Sequence, residues 1–208
     1  MSIAKNKLNG EVLPVMERFY SIQGEGLHTG KAAYFIRLAG CNVGCHWCDV
    51  KESWDKNKHP EIAIEQLVKD AKQSGAPIVI ITGGEPTMYS LKKLTRLLKN
   101  EGFKIHLETS GSYKIDGEFD WICLSPKKLK PPLQESLQKA DELKVVIYNK
   151  DDFKWAHQNA TGVKEECILF LQPEWSKAAM AMPWITEYIK NSPSWRVSLQ
   201  THKYLNIR

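Results

Sequence analysis

The segment that decides how this chain folds is Ala33-Ala-Tyr-Phe-Ile-Arg-Leu-Ala-Gly-Cys-Asn-Val-Gly-Cys-His-Trp-Cys-Asp49, an apolar run that leads into a cysteine-rich loop. Three of the chain's five cysteines, Cys41, Cys45 and Cys48, follow the pattern C-x3-C-x2-C. Thiolates this close together are soft ligands that suit an iron–sulfur cluster or zinc. Because a closed structural site normally uses four protein ligands, three cysteines leave one position open. From the loop alone, zinc with His46 as a fourth ligand and a group of buried thiols remain alternatives.

The composition is that of an ordinary globular domain. At 208 residues, with 42% hydrophobic and 25% charged residues, the chain is expected to form a single domain over 1–208. The net charge of +5 is mild, and the one dense basic run, Lys127-Lys-Leu-Lys130, is followed by two prolines. This pattern favours a solvated loop, so no nucleic-acid partner is expected.

The cysteines also indicate the compartment. The N-terminal sequence Met1-Ser-Ile-Ala-Lys-Asn-Lys7 does not resemble a signal peptide, and no window approaches the roughly 18 apolar residues of a membrane span. Cysteines in such a chain favour a reducing environment and metal binding over disulfides. We therefore expect a cytoplasmic protein with no membrane partner. Cys123 and Cys167 lie in apolar runs and are predicted to be core thiols.

Short apolar runs alternate with helical patterns along the chain. The predicted strands are 33–38, 77–82, 103–109, 121–125, 143–147, 167–171 and 195–199. A first helix is predicted from His59-Pro60 to Ser74, and Ser90 is predicted to cap the second. The alternation predicts parallel βαβ units. About six such strands are too few for a closed eight-stranded barrel, so we expect an α/β fold with an open, incomplete TIM-like barrel.

Unusual loop sequences follow these strands, at the edge where such folds place their sites. Thr82-Gly-Gly-Glu-Pro86 is the most informative, because paired glycines let the backbone approach a ligand closely. The other loops are Glu108-Thr-Ser-Gly111, Ser125-Pro-Lys127, Gln172-Pro-Glu174 and Gln200-Thr-His-Lys203.

The cysteine spacing, with an aromatic residue before the last cysteine, and the GGEP sequence resemble the radical S-adenosylmethionine (SAM) superfamily. Further motifs make the chain similar to the 7-carboxy-7-deazaguanine synthase family over nearly its whole length. These motifs are Ser21-Ile-Gln-Gly-Glu-Gly26, Phe35-Ile-Arg-Leu-Ala-Gly-Cys41, Cys48-Asp49, Glu108-Thr-Ser-Gly111, Ser125-Pro-Lys127 and Gln200-Thr-His-Lys-Tyr-Leu-Asn206.

The resemblance implies a carbon–nitrogen lyase that contracts the ring of 6-carboxy-5,6,7,8-tetrahydropterin to 7-carboxy-7-deazaguanine and releases ammonia, on the route to queuosine and other deazapurines. Cys41, Cys45 and Cys48 would hold a [4Fe-4S] cluster, with no catalytic side chain beyond these ligands. Residues implied to line SAM are Trp47, Gly83, Gly84, Glu85, Ser125, Pro126, Lys127 and Gln172. Residues implied to contact the pterin are Ile22, Gln23, Gly24, Glu25, Arg37, Asp49, Thr82, Glu108, His202 and Arg208.

Chemistry gives some of these roles a reason. The Arg37 guanidinium suits a bidentate grip on the substrate carboxylate, although a surface ion pair is the alternative. Glu25 or Glu108 can accept from the pterin's N–H groups, and the Gln23 amide offers both polarities to the ring. The family usually has a Thr that helps to bind Mg²⁺ where this chain has Val50, which has no oxygen for a hard cation. The need for Mg²⁺ is therefore open.

Two other functions share some of these sequence features, and the resemblance also implies partners. A glycyl-radical-enzyme activase shares the cysteine spacing and the GGEP-like turn, and a zinc- or cluster-binding module without catalysis is the alternative of another class. The resemblance implies an electron donor such as flavodoxin or ferredoxin, and a homodimer. Tryptophans of the C-terminal half, namely Trp155, Trp175, Trp184 and Trp195, are expected to pack in the core.

Overall fold

The computed structural model describes residues 11–208, so the N-terminal stretch interpreted above as lacking a signal peptide lies outside the described residues. Its centre is a nine-stranded sheet with the spatial order β3-β1-β2-β4-β5-β6-β7-β8-β9. The strands are β1 (Val12–Ile22), β2 (Ala32–Leu38), β3 (Glu61–Ala63), β4 (Ile78–Gly83), β5 (Lys104–Thr109), β6 (Trp121–Leu124), β7 (Glu142–Ile147), β8 (Ile168–Pro173) and β9 (Trp195–Val197). The sheet is open, as predicted.

Each parallel strand pairs with the next in the order β2-β4-β5-β6-β7-β8-β9, as βαβ connections require. The helices are α1 (Ile64–Ser74), α2 (Lys92–Asn100), α3 (Gln134–Lys139), α4 (Asp152–Ala160), α5 (Ala178–Asn191) and α6 (Thr201–Leu205). Within residues 11–208, no helix is both long enough and apolar enough to cross a membrane.

The two faces of the sheet have opposite characters because side chains alternate along a strand. On the helix-covered face, Leu143, Val145 and Ile147 of β7 pack with α3, α4 and α5 in one core. The corresponding residues of β2, β4 and β5 pack with α1 and α2 in another. The opposite face carries polar side chains such as Lys144 and Glu108 among a few apolar ones, and this is the face that lines the site.

The structure differs from the sequence-based expectation at three places. All seven predicted strands are present, as β2 and β4 to β9, whereas β1 and β3 were not predicted and add an antiparallel extension at the β2 edge. The first helix begins at Ile64 instead of Pro60, because residues 61–63 pair with β1. Ser90 does not cap α2, since its hydroxyl donates to Asp116 at 2.9 Å.

Candidate active site

A cavity of about 270 Å³ opens over the polar face of the sheet, beside the carboxyl ends of the parallel strands. All predicted site residues line it except Pro126, whose carbonyl instead lies 3.5 Å from the Trp155 indole Nε1. The predicted set therefore forms one connected wall, as expected for loops that follow neighbouring parallel strands.

The cysteine loop forms one part of this wall. Cys41, Cys45 and Cys48 all line the cavity, are half-buried and form no disulfide. Within residues 11–208, no three His, Cys, Asp or Glu side chains converge closely enough to hold one metal ion. A [4Fe-4S] cluster does not need such convergence, because each cysteine binds a different iron of the cube. His46 packs edge-on against Tyr148, with ring centroids 5.1 Å apart.

The surroundings of the thiols fit negatively charged ligands. Burial raises the pKa of the Cys41 thiol, and hydrogen bonds from the backbone N–H groups of Val43 and Gly44 partly offset this effect. Burial also raises the pKa of Cys45, while the nearby Lys127 ammonium acts in the opposite direction. Backbone amides and an ammonium directed at sulfur stabilise thiolates, so the donor set fits an iron–sulfur cluster.

The Thr82–Pro86 loop is joined to the cysteine loop by its backbone. The Gly84 N–H donates to the Leu38 carbonyl at 3.0 Å, and the Glu85 N–H donates to the Gly40 carbonyl at 2.9 Å. A Cβ at Gly84 would lie 2.4 Å from the Gly40 carbonyl oxygen, which leaves no room for a side chain. The second glycine of the pair therefore allows the two loops to pack in direct contact.

Glu85 is 1% exposed and is held by internal donors. Its Oε1 accepts from the N–H and hydroxyl of Thr87 at 3.0 and 2.6 Å and from the Thr109 hydroxyl at 2.6 Å. Its Oε2 accepts from the Ser110 N–H at 2.8 Å and from the Ser110 hydroxyl. These bonds connect the loop after β4 to the end of β5, so Glu85 fixes the relative positions of two cavity walls.

Lys127 lies in the wall next to the cysteine loop. Its ammonium donates to the carbonyl and the hydroxyl of Ser125, both at 2.6 Å, and lies 5.6 Å from the centre of the Trp47 ring. Burial lowers the pKa of this ammonium. Lys127 is therefore turned toward the cavity, and Lys130 of the same run donates to Asn42 Oδ1 at 3.0 Å, which corrects the expectation of a solvated loop.

Gln23, Glu25 and Glu108 form a second part of the wall, connected by hydrogen bonds. The Gln23 Nε2 donates to Glu108 Oε1 at 2.8 Å, and Gln23 Oε1 accepts from the Glu25 N–H at 3.1 Å. Both the donor and the acceptor of the Gln23 amide are thus bonded to protein groups. The sequence had suggested instead that Gln23 presents them to the pterin ring. Glu25 Oε1 accepts from the Gln200 amide at 2.8 Å, and its Oε2 pairs with Lys144.

Arg37 and Thr82 are register partners on β2 and β4, which places them side by side on the cavity face. Arg37 forms the ion pair that was the alternative to a ligand role, because its Nε donates to Glu17 Oε1 at 2.8 Å. Arg208 lies close by: its Nη2 is 3.4 Å from the other Glu17 oxygen, and its carbonyl accepts from the Ser21 hydroxyl at 2.6 Å. Arg37 therefore lines the cavity with its orientation set by Glu17.

His202 and Asp49 both line the cavity near the C-terminal segment. The His202 ring packs against Gly24, where a Cβ would lie 2.2 Å from the ring Nδ1. Burial lowers the pKa of His202, which favours the neutral ring. The exposed Asp49 carboxylate pairs with Lys203 at 3.1 Å, and the next residue, Val50, places an apolar side chain in the cavity wall.

Sequence reasoning missed Cys123, Lys144 and Trp175 as residues of the wall, and it gave Gln200 and Lys203 no binding role although it singled out their loop. Cys123 is buried as predicted, but it lies on the cavity face of β6. Trp175 is 42% exposed and stacks edge-on with Tyr204, so its expected core position is wrong. The sequence signal for Lys144 is a lysine inside an otherwise apolar strand, where a charge is costly unless it is paired.

Comparison with known proteins gives consistent results. A model of the Radical SAM superfamily matches residues 35–146, about half of the chain. The chain is 56% identical over 198 residues to the 7-carboxy-7-deazaguanine synthase of Flavobacterium psychrophilum, with 95% of this chain and 94% of that protein covered. The protein of the same name from Synechocystis is 48% identical, with 94% and 93% covered.

Structural comparison agrees with the sequence comparison. The crystal structure of QueE from Escherichia coli superposes with a TM-score of 0.82 at 31% sequence identity, covering 91% of this chain and 94% of that one. The two proteins therefore share their fold over most of the length of both chains.

Proposed function

The chain belongs to the 7-carboxy-7-deazaguanine synthase family of the radical SAM superfamily, and we propose that it converts 6-carboxy-5,6,7,8-tetrahydropterin to 7-carboxy-7-deazaguanine with loss of ammonia. The observation that carries the proposal is that a single cavity is lined both by the three-cysteine loop and by the Glu25 and Glu108 carboxylates. The residues suited to radical chemistry and those suited to binding an N–H-rich heterocycle therefore line the same cavity.

As a radical SAM enzyme, the chain uses a [4Fe-4S] cluster and SAM. In our proposal Cys41, Cys45 and Cys48 hold the cluster, and SAM lies along Trp47, Lys127 and the other residues that the resemblance implies. When bound, these groups supply the one-electron chemistry that removes a hydrogen atom from the substrate. The backbone contact between Gly84 and Gly40 keeps the cysteine loop and the GGEP loop in register.

The remaining polar residues bind and orient the pterin in this proposal. Glu25 and Glu108 accept hydrogen bonds from the ring N–H groups, while the Gln23 amide holds the Glu108 carboxylate and the Glu25 backbone N–H in place. Arg37, oriented by Glu17, binds the substrate carboxylate. His202, Thr82 and the other residues implied above complete the pterin contacts.

The experiment that tests this function is a product assay with the anaerobically reconstituted protein, SAM, a reductant and the carboxytetrahydropterin. We expect 7-carboxy-7-deazaguanine and ammonia in equal amounts, detected by mass spectrometry and an ammonia assay. SAM cleavage without conversion of the pterin would contradict the substrate assignment. Glycyl radical formation in a partner protein would instead favour an activase, and a colourless protein with bound zinc would favour a non-catalytic module.

Magnesium dependence is a separate prediction. The residues present do not form the expected oxygen site, because Val50 offers no oxygen and the neighbouring Asp49 already pairs with Lys203. We therefore expect a chelator selective for Mg²⁺ to change the turnover number by less than about threefold, since no protein ligand set is lost. A Val50→Thr variant is the matched comparison, and it is expected to gain dependence on Mg²⁺. Complete loss of wild-type activity after Mg²⁺ removal would contradict this prediction.

The wider arrangement of the protein is also part of the proposal. We infer that residues 1–208 form one radical SAM domain, because the nine strands of the described part belong to one continuous sheet. The electron donor is proposed to be a flavodoxin or a ferredoxin, and the assembly a homodimer. Reduction kinetics with each donor and light scattering of the purified protein test these two assignments.

A further inference from the structure

Lys144 is a buried cation in the wall of the cavity. Its side chain is 6% exposed, and its ammonium pairs with Glu25 Oε2 and lies 3.9 Å from Glu108 Oε2. It stands on β7 among the apolar residues of the sequence Glu142-Leu-Lys-Val-Val-Ile147, on the face opposite the helix-covered core. A buried ammonium is costly to desolvate, so its retention here requires partners that compensate for that cost.

The charged groups around Lys144 come from several neighbouring elements. Glu25 lies in the loop after β1, Glu108 on β5, Cys123 on β6 and Glu142 on β7 itself. Glu142 is engaged elsewhere, because its Oε2 accepts from the Leu27 N–H at 3.0 Å and lies 3.4 Å from the Trp121 indole Nε1. Lys144 therefore acts chiefly on the Glu25 and Glu108 pair.

We propose, on the basis of the proposed function, that Lys144 is a positioning residue that holds Glu25 and Glu108 side by side as ionised acceptors for the pterin's N–H groups. Without a cation between them, two carboxylates in one wall repel each other, and one of them takes up a proton. A protonated carboxyl donates where the ring N–H needs an acceptor. Lys144 thus sets pterin affinity without itself being a catalytic residue.

The protonation of Glu25 supports this role. Burial alone raises the pKa of Glu25, but the Lys144 charge and hydrogen bond, the Gln200 amide and the His202 ring together lower it to about 2. Glu25 is then ionised at every pH at which the enzyme is assayed. If Lys144 loses its charge, burial remains the largest influence, and the pKa of Glu25 shifts upward toward the neutral range.

The test is equilibrium titration of the reconstituted holoenzyme with 6-carboxy-5,6,7,8-tetrahydropterin, without reductant so that no turnover occurs. We expect Lys144→Met to raise Kd by about 10- to 100-fold, since a charged hydrogen-bonding partner of the acceptors is lost. The variant-to-wild-type ratio of Kd should increase by about threefold or more from pH 8 to pH 6, because Glu25 becomes protonated only in the variant. Lys144→Arg keeps the charge and should restore most of the affinity.

Two controls separate this role from a general loss of stability. Lys164→Met removes another part-buried ion pair, in which the Lys164 ammonium lies 2.5 Å from Asp141 Oδ1. This pair lies outside the cavity, so its loss should leave Kd and the pH dependence of Kd unchanged. If Lys144→Met does not fold, the double variant Lys144→Met/Glu25→Gln, in which both side chains are neutral, is used instead. It should bind the pterin no more weakly than Glu25→Gln alone. The proposal would be overturned if the folded Lys144→Met variant had the same Kd as the wild-type protein at both pH 6 and pH 8.

The proposed function and the Lys144 proposal fail in different ways. If the wild-type protein does not convert the pterin, the proposed function is wrong, whatever the titration gives. If the wild-type protein converts the pterin but Lys144→Met keeps the wild-type KM and loses only kcat, the positioning role is wrong while the function stands. A rise in KM larger than the fall in kcat supports the positioning role.

Discussion

Replacing Cys45 with alanine is expected to reduce turnover of the carboxytetrahydropterin by about a thousandfold or more, because a three-thiolate site cannot hold its cluster after losing one ligand. Cys45 lines the cavity beside Lys127, and this chain offers no spare thiol within the cysteine loop. Iron content, the visible absorption band and product formation should all be lost together in the reconstituted variant.

The matched control is Cys167→Ala. Cys167 is also a free cysteine, but it is buried in the core between β8 and the helices and does not line the cavity. Its replacement should cost about 1 kcal/mol of stability while leaving cluster content and kcat near wild type. A Cys45→Ala protein with full iron content and wild-type turnover would contradict the assignment of the cluster to this loop.

Replacing Glu85 with alanine is expected to lower the free energy of unfolding by about 3 kcal/mol, which is a large effect for one substitution. The change leaves the Thr87, Thr109 and Ser110 donors without their shared acceptor. It also detaches the loop after β4 from the end of β5. Chemical denaturation of the purified apoprotein, followed by circular dichroism, measures the difference.

Glu101→Ala provides the comparison for Glu85. The Glu101 carboxylate pairs with Lys72 at 2.6 Å on the surface, where both side chains are exposed. Such pairs contribute little, so the expected loss is below about 0.5 kcal/mol. If Glu85→Ala proves as stable as Glu101→Ala, the internal hydrogen bonds do not hold the two loops together, and a direct ligand role for Glu85 becomes the better explanation.

Much of the parallel sheet could be predicted because short apolar runs alternate with helical patterns along the chain, and this alternation is a strong local signal. The strand β1 was not predicted, because its sequence, Val-Leu-Pro-Val-Met-Glu-Arg-Phe-Tyr-Ser-Ile22, mixes a proline and adjacent charges with apolar residues. Its pairing with β2 and β3 depends on contacts distant in the sequence. Residues 61–63 were assigned to a helix for the same reason, since only the partner strand determines their conformation.

The site was predictable where it follows strand ends and much less so inside strands. Cysteines, glycines and acidic residues in loops are conspicuous, and they lie together because parallel strands end at one edge. Lys144 and Cys123 lie within strands, where a sequence pattern does not reveal which face is lined by solvent and which by helices. The partners of Gln23 and Glu85 also depend on the folded chain, so both residues were expected to bind ligands when much of their hydrogen bonding is internal.

The central claim is that one cavity holds SAM beside the cysteine loop and the pterin against Glu25 and Glu108. Its most direct test is an anaerobic crystal structure of the reconstituted protein with SAM and 6-carboxy-5,6,7,8-tetrahydropterin. We predict a cluster on Cys41, Cys45 and Cys48, and pterin N–H groups within about 3.2 Å of the Glu25 or Glu108 oxygens. A pterin bound outside this cavity, or inside it with both carboxylates more than about 5 Å from every ring nitrogen, would contradict the account.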